Sequence, residues 1–318
     1  MTRLPIILAA ALSLMACTSS PGSADAPATS DRREASGAPQ AADGARLAAA
    51  CKGKEGWGDP APPAHLFGNS WYVGTCGISA ILVTGREGHV LIDGGIPEAA
   101  SLVLANIAAA GFKAKDVRWI LSSHEHFDHA GALAALQRAT GARVAALPAA
   151  AEVLETGKPP AADPQFGQLD AFPRLHVDRR LADGERVTLG DITLVAHATP
   201  AHSAGSTSWT WRTCDDNRQC LTITYADSVS AISFKGYRFS DHPERIAGVR
   251  QGLARVADLP CDLLVTPHPG ASDLLARFAG TSLLVDPTAC QRYAAGATAR
   301  FDQRLSQEAA DEAKETRS

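Results

Sequence analysis

Apolar positions along the chain fall into short runs separated by Gly, Pro and charged residues, and the period of each run predicts an element. Ile78 to Thr84 and His89 to Asp93 are β-branched runs joined by Gly85-Arg86-Glu87-Gly88, the pattern of a hairpin. Pro97 to Ala110 has helical spacing and stops at Gly111. Val117 to Ser122 reads as a strand, Gly131 to Thr140 as an Ala-rich helix, and Ala142 to Ala146 as a further strand. Strands are predicted at Gly184 to Ala196, Ser208 to Arg212 and Leu221 to Tyr225, then a helix from Pro243 to Ala257 leading into a strand at Asp262 to Thr266. Strands in both halves with helices between them predict a layered α/β protein, two sheets face to face and helices outside.

The two ends lack this pattern. Met1-Thr2-Arg3 is a short basic start, and Leu4 to Ala16 is an apolar run too short to span a bilayer as a mature helix. It closes on Leu14-Met15-Ala16-Cys17, which resembles the lipobox of bacterial lipoproteins. Residues 1–17 are therefore expected to be a lipoprotein signal peptide with Cys17 lipidated, which implies attachment to a membrane. Thr18 at the next position favours the outer membrane, facing the periplasm. An ordinary secretory signal is the alternative, and it exports the chain equally. Residues 18–47 are Ala, Ser, Gly, Pro and scattered charges, expected to form a flexible tether. The folded domain is expected over 48–305 and a fraying charged tail over 306–318.

Composition changes the picture little. The chain is 45% hydrophobic and 20% charged, ordinary for a globular protein, and its net charge of -4 gives no reason to expect nucleic acid as a partner. The cysteines say more. Beside Cys17 there are six, Cys51, Cys76, Cys214, Cys220, Cys261 and Cys290, an even number suited to disulfides in an oxidising compartment. Cys214 and Cys220 bracket a polar turn between two strand-like runs, which makes that pair the best marked; the other pairings stay open.

The chemistry sits at strand ends. The run from Val117 to Ser123 leads directly into His124-Glu125-His126-Phe127-Asp128-His129. Neutral imidazole binds zinc well near pH 7. Spacing of i, i+2, i+4 and i+5 is awkward for one ion: in an extended loop the first and third residues share a side, while the Asp and last His turn toward a second position. That suits two adjacent metals. His202, in Thr199-Pro200-Ala201-His202, and His268, in Thr266-Pro267-His268-Pro269, lie in tight turns beside other strands. His65, His89, His176, His197 and His242 fall in no such pattern.

Together these pieces resemble the metallo-β-lactamase superfamily: Leu91-Ile92-Asp93-Gly94, the His-x-His-x-Asp-His box, the turn at 199–202, Tyr225-Ala226-Asp227-Ser228, and Thr266 to Pro269. They span roughly residues 65 to 290. Tyr72-Val73-Gly74-Thr75 and Ala226-Asp227-Ser228-Val229-Ser230 narrow the resemblance to the third subclass of class B β-lactamases. It implies a four-layer αββα sandwich with a site for two Zn2+ in the cleft between the sheets. It implies His124, His126 and His202 on the first zinc, and Asp128, His129 and His268 on the second. Ser228 and Ser230 would bind the substrate carboxylate. The resemblance also implies the pairs Cys261–Cys290, Cys214–Cys220 and Cys51–Cys76, each contributing roughly 2–4 kcal/mol, less for the short ring.

The implied activity is hydrolysis of the amide bond of β-lactam antibiotics by a metal-bound hydroxide, conferring resistance, in an exported enzyme expected to be a monomer. No Ser-x-x-Lys arrangement points to covalent lactamase chemistry. Other dizinc hydrolases of this fold act on thioesters, lactones or phosphodiesters, and the thioester and phosphodiester enzymes bridge their metals with an Asp close to the register of Asp227. Here Asp227 is expected to be structural or to support a ligand. The remaining alternative is a zinc-binding lipoprotein without turnover. Trp71 or Phe234 could form a wall against substrate, though core packing suits Trp71 better.

Overall fold

The structure is a computed structural model and describes residues 38–316. The signal peptide expected at 1–17, lipidation at Cys17 and the first part of the tether lie outside the described residues. The first sheet holds β1 (Ala64–Phe67), β2 (Ser70–Tyr72), β3 (Ile81–Gly85), β4 (Gly88–Ile92), β5 (Val117–Leu121), β6 (Arg143–Ala146) and β7 (Arg179–Arg180), in that spatial order. Its strands are antiparallel up to β4 and parallel from there on. The second sheet is ordered β12 (Leu263–Val265), β11 (Cys220–Tyr225), β10 (Thr207–Cys214), β9 (Ile192–Ala198), β8 (Arg186–Leu189). The helices are α1 (Ala38–Ala50), α2 (Ala100–Ala109), α3 (Phe127–Ala130), α4 (Leu133–Thr140), α5 (Pro148–Thr156), α6 (Pro243–Ala257), α7 (Leu274–Phe278) and α8 (Ala289–Glu315).

Side-chain alternation explains the layering. Ile81, Val83, Val90, Ile92, Trp119 and Leu121 share one buried cluster with Leu194, Ala196, Trp209, Trp211, Ile223 and Tyr225 of the second sheet. The intervening residues Leu82, Leu91, Ile120 and Val144 belong to a second cluster with Val103 and Ile107 of α2, Leu133 and Leu136 of α4, and Leu154 of α5. Because both faces of the first sheet are covered, its central strands read as continuous apolar runs. Behind the second sheet, Leu264 packs with Val249, Leu253 and Val256 of α6 and Ala294, Ala297 and Phe301 of α8. The result is the expected αββα sandwich. Three disulfides form, Cys51–Cys76, Cys214–Cys220 and Cys261–Cys290.

Both expected domain limits need correction. A helix starts at Ala38, within the stretch read as a tether to residue 47. Its sequence is mostly alanine, the best helix former, and it docks on β1 and α7 with Leu47 fully buried. At the other end α8 runs to Glu315 instead of fraying from 306. Polar side chains hold it: Glu308 accepts from Phe239 N and Ser240 N at 3.1 and 2.8 Å, and Arg304 pairs with Glu308 at 2.9 Å. The stretch 184–196 is a hairpin rather than one strand, turning where Gly190 takes φ +56°. Trp71 packs against Phe112 and His65, a structural position.

Candidate metal centre

Parallel strands β4 and β5 end side by side, and the loops that leave them build the site. Asp93, just past β4, takes a left-handed φ of 60° and turns its carboxylate across to the next loop. There it accepts from Ser123 N at 2.7 Å and Ser123 Oγ at 2.6 Å, and from the Tyr225 hydroxyl at 2.7 Å. Ser122 Oγ donates to His124 O at 2.8 Å, and Trp209 Nε1 donates to Ser122 O at 3.0 Å. The stretch from Ser122 to His126 is thereby fixed before α3 begins, and α3 then presents Asp128 and His129. His202 arrives from the turn between β9 and β10, joined to the same loop by Thr207 N donating to Ser123 O at 2.6 Å. His268 follows β12, where Thr266 Oγ1 donates to His268 O at 2.7 Å.

All six expected donors meet. His124, His126 and His202 gather as one buried group, with ring centroids 4.7–4.8 Å apart. His126 Nδ1 lies 3.1 Å from His202 Nε2. Asp128 Oδ2 lies 3.0 Å from His129 Nε2 and 3.2 Å from His268 Nε2, and those two nitrogens are 3.2 Å apart. His124 also lies within reach of Asp128 and His129, so the two groups adjoin.

Each imidazole of the first group has its other nitrogen engaged. His124 Nδ1 bonds Asp227 Oδ1 at 2.8 Å, His126 Nε2 bonds Asp163 Oδ2 at 3.0 Å, and His202 Nδ1 donates to Ser230 O at 2.7 Å. With those nitrogens carrying the protons, His124 Nε2, His126 Nδ1 and His202 Nε2 turn lone pairs toward one another. His124 Nε2 is buried and has no hydrogen-bond partner. Facing lone pairs repel unless a cation lies between them. Tetrahedral zinc with bonds of about 2.0–2.1 Å sets its ligand atoms roughly 3.3 Å apart, close to the separations here. The residues fit a metal ion in each group.

Electrostatics agree with that fit for His124 and His202, while burial of His126 is outweighed by Asp163, Glu125 and Asp128, which raise it. Burial, with His129 and His126 nearby, holds His124 well below the ordinary histidine range. Burial and the neighbouring His124 and His126 do the same to His202. Both are neutral near pH 7, the form that can bind a metal. Burial opposes ionisation of Asp128, but His129 and His268 outweigh it and hold the carboxylate far below its usual range. Burial pushes Asp93 up to about 6 and Asp227 up to about 7.

Ser228 is buried directly after Asp227, and Ser230 Oγ lies 3.3 Å from His202 Nδ1, so both stand beside the first group. Asp227 faces His124 Nδ1, on the side of the ring away from the free Nε2. Asp227 thus stands behind the His124 ring and is not among the side chains that gather in the two donor groups. Sequence reading missed Asp163 and Glu125. Glu125, buried, accepts from Ser203 Oγ at 2.9 Å and Gly205 N at 3.1 Å, tying the His202 turn to the metal loop. Its place inside the His-x-His motif was its only sequence signal; Asp163 had none. Of the other histidines, His65 bonds Gly68 O and His197 bonds Thr210, clear of the donor groups.

Comparison with known proteins agrees with this arrangement. Residues 73–215 match the profile of the metallo-β-lactamase superfamily. The crystal structure of the metallo-β-lactamase MIM-1 from Novosphingobium pentaromativorans is similar at 58% identity and TM-score 0.83, over 84% of this chain and 98% of that one. MEM-A1, a subclass B3 metallo-β-lactamase from a soil metagenome library, is 41% identical with TM-score 0.77, over 80% of this chain and all of that one (100%). Among curated relatives, a hydroxyacylglutathione hydrolase of Anaeromyxobacter dehalogenans is 36% identical over 121 residues, spanning 38% of this chain and 37% of that protein's length. Fold, converging donors and near full-length similarity lead to one conclusion: the chain belongs to the metallo-β-lactamase superfamily, on its subclass B3 branch.

Proposed function

We propose that this protein is a dizinc β-lactamase that opens the amide bond of β-lactam antibiotics and so confers resistance. The observation that carries the reading is the pair of donor groups, His124, His126 and His202 beside Asp128, His129 and His268, with Asp227 withdrawn behind His124. Two zinc ions bound there would supply a water ionised near pH 7 and a Lewis acid for the lactam carbonyl. The chain's residues do the rest. Asp128, kept ionised by His129 and His268, holds the second position and can accept a hydrogen bond from the attacking water. The hydroxyls of Ser228 and Ser230 bind the substrate carboxylate and present the ring to the first group. No side chain forms a covalent bond to substrate.

Similarity to hydroxyacylglutathione hydrolases favours a thioester as the second reading. The place of Asp227 behind an imidazole, rather than between the two groups, supports the lactam. The same proposal puts the enzyme in the periplasm, held to the outer membrane through acyl chains on Cys17. Three disulfides that use the six other cysteines support an oxidising compartment. Hydrolysis of a chromogenic cephalosporin, lost with a chelator and restored by zinc, is the expected result. Turnover of hydroxyacyl thioesters with no lactam hydrolysis would reverse the assignment.

A further inference from the structure

Two of the three nitrogens that orient the first group find partners on the segments around β11, Asp227 and Ser230. The third does not. His126 Nε2 meets Asp163, which lies 37 positions along the chain on the irregular connection between α5 and β7. Asp163 is 5% exposed, with one oxygen on His126 and the other accepting from Gln165 N at 2.7 Å. Next to it, Pro164 O accepts from Phe234 N at 2.8 Å, joining the connection to the segment that carries Ser230. Gln165 Nε2 then lies 3.4 Å from His202 Nε2, and Phe166 stands 45% exposed.

We propose that Asp163 is a positioning residue for the first metal: by accepting a hydrogen bond from His126 Nε2–H it turns Nδ1 to the ion, and the same bond fastens the 158–172 connection beside the site. The inference rests on the metal-binding reading above. His126 needs this support more than its neighbours do. It is oriented for the metal through Nδ1, close to its own backbone, where a small ring rotation would carry the lone pair off the ion. Polar partners behind ligating imidazoles fix tautomer and ring angle, and losing one commonly costs about 10–100-fold in metal affinity. The contact has a second consequence. Gln165 is set beside His202 by a residue that itself depends on His126, so the connection and the first metal position are held together.

The test is zinc affinity of the metal-stripped full protein, titrated against a chromophoric chelator, for the unmodified chain, Asp163→Asn and Asp163→Ala. The first-bound and second-bound ions are resolved by cobalt absorption spectra. Both variants should lose about 10–100-fold at the three-histidine position, Ala more than Asn, with the Asp128 position unchanged. Nitrogen-15 imidazole spectra of the unmodified zinc protein supply a readout independent of the variants' folding. They should show His126 ligated through Nδ1 with a protonated Nε2. Unchanged affinity in folded variants, or His126 ligated through Nε2, overturns the inference while the metal-binding reading stands. An unmodified protein that binds no zinc overturns both.

Discussion

Asp227 Oδ1 lies 2.8 Å from His124 Nδ1, with both side chains fully buried, and this places the carboxylate behind the imidazole rather than between the two donor groups. A bridging Asp and a supporting Asp make opposite predictions for removal of charge. With Asp227→Asn the protein should still bind two zinc ions, the first about 10–100-fold more weakly. Zinc content after dialysis against graded chelator measures it. Loss of binding at both positions together would mean that Asp227 bridges.

Asp93 gives a pH signature to the metal-free protein. Burial raises its carboxyl to about 6, above the unfolded value of 3.8. Between those values the folded state holds a proton that the unfolded state has released, so stability falls as pH rises from about 4 to about 6. Two pH units correspond to about 3 kcal/mol. Urea unfolding of the chelated protein should show this decline, and Asp93→Asn should lessen it, with Asp227, raised to about 7, keeping its own share. Equal slopes for the two proteins would show that Asp93 ionises as freely in the fold as in the open chain.

Gly205 has no room for a side chain. A Cβ there would run into Glu125 Oε2 and lie 2.5 Å from the backbone nitrogen of Ala150. Gly205→Ala should displace the turn that carries His202, costing about 1–3 kcal/mol of stability and weakening the first zinc. Calorimetry and zinc titration read the two effects, and a neutral result in both would contradict the link through Glu125.

The disulfides should rank by loop length. Cys261–Cys290 closes a separation of 29 residues and Cys214–Cys220 one of 6. Replacing the first pair by Ser should cost roughly 3–4 kcal/mol and the second roughly 2 kcal/mol, by denaturant unfolding. The reverse order would contradict the loop-entropy account.

The parts of this fold legible in the sequence are those whose signal is local. The hairpin β3–β4 declares itself by two apolar runs and a Gly-bounded turn, and α6 by its Pro start and its helical spacing. The donors were legible because five imidazoles and a carboxylate fall in short motifs that follow strands closely in the sequence. α1 carries no apolar period to read, because its sequence is mostly alanine and only Leu47 is deeply buried among its described side chains. The end of α8 has the sequence of a tail because its anchors are charged: Glu308 reaches back to Phe239 and Ser240. Asp163 could not be found at all. An isolated Asp among Ala and Pro has no periodicity, and its role exists only once the chain brings it to His126.

The account stands or falls on two ions held by six side chains. Zinc-edge anomalous diffraction from crystals of the zinc-loaded protein measures this directly. Two peaks are predicted, one about 2.0–2.1 Å from His124 Nε2, His126 Nδ1 and His202 Nε2, the other bound by Asp128, His129 and His268. A single peak, or one that leaves His202 or His268 turned away from the metal, would contradict it.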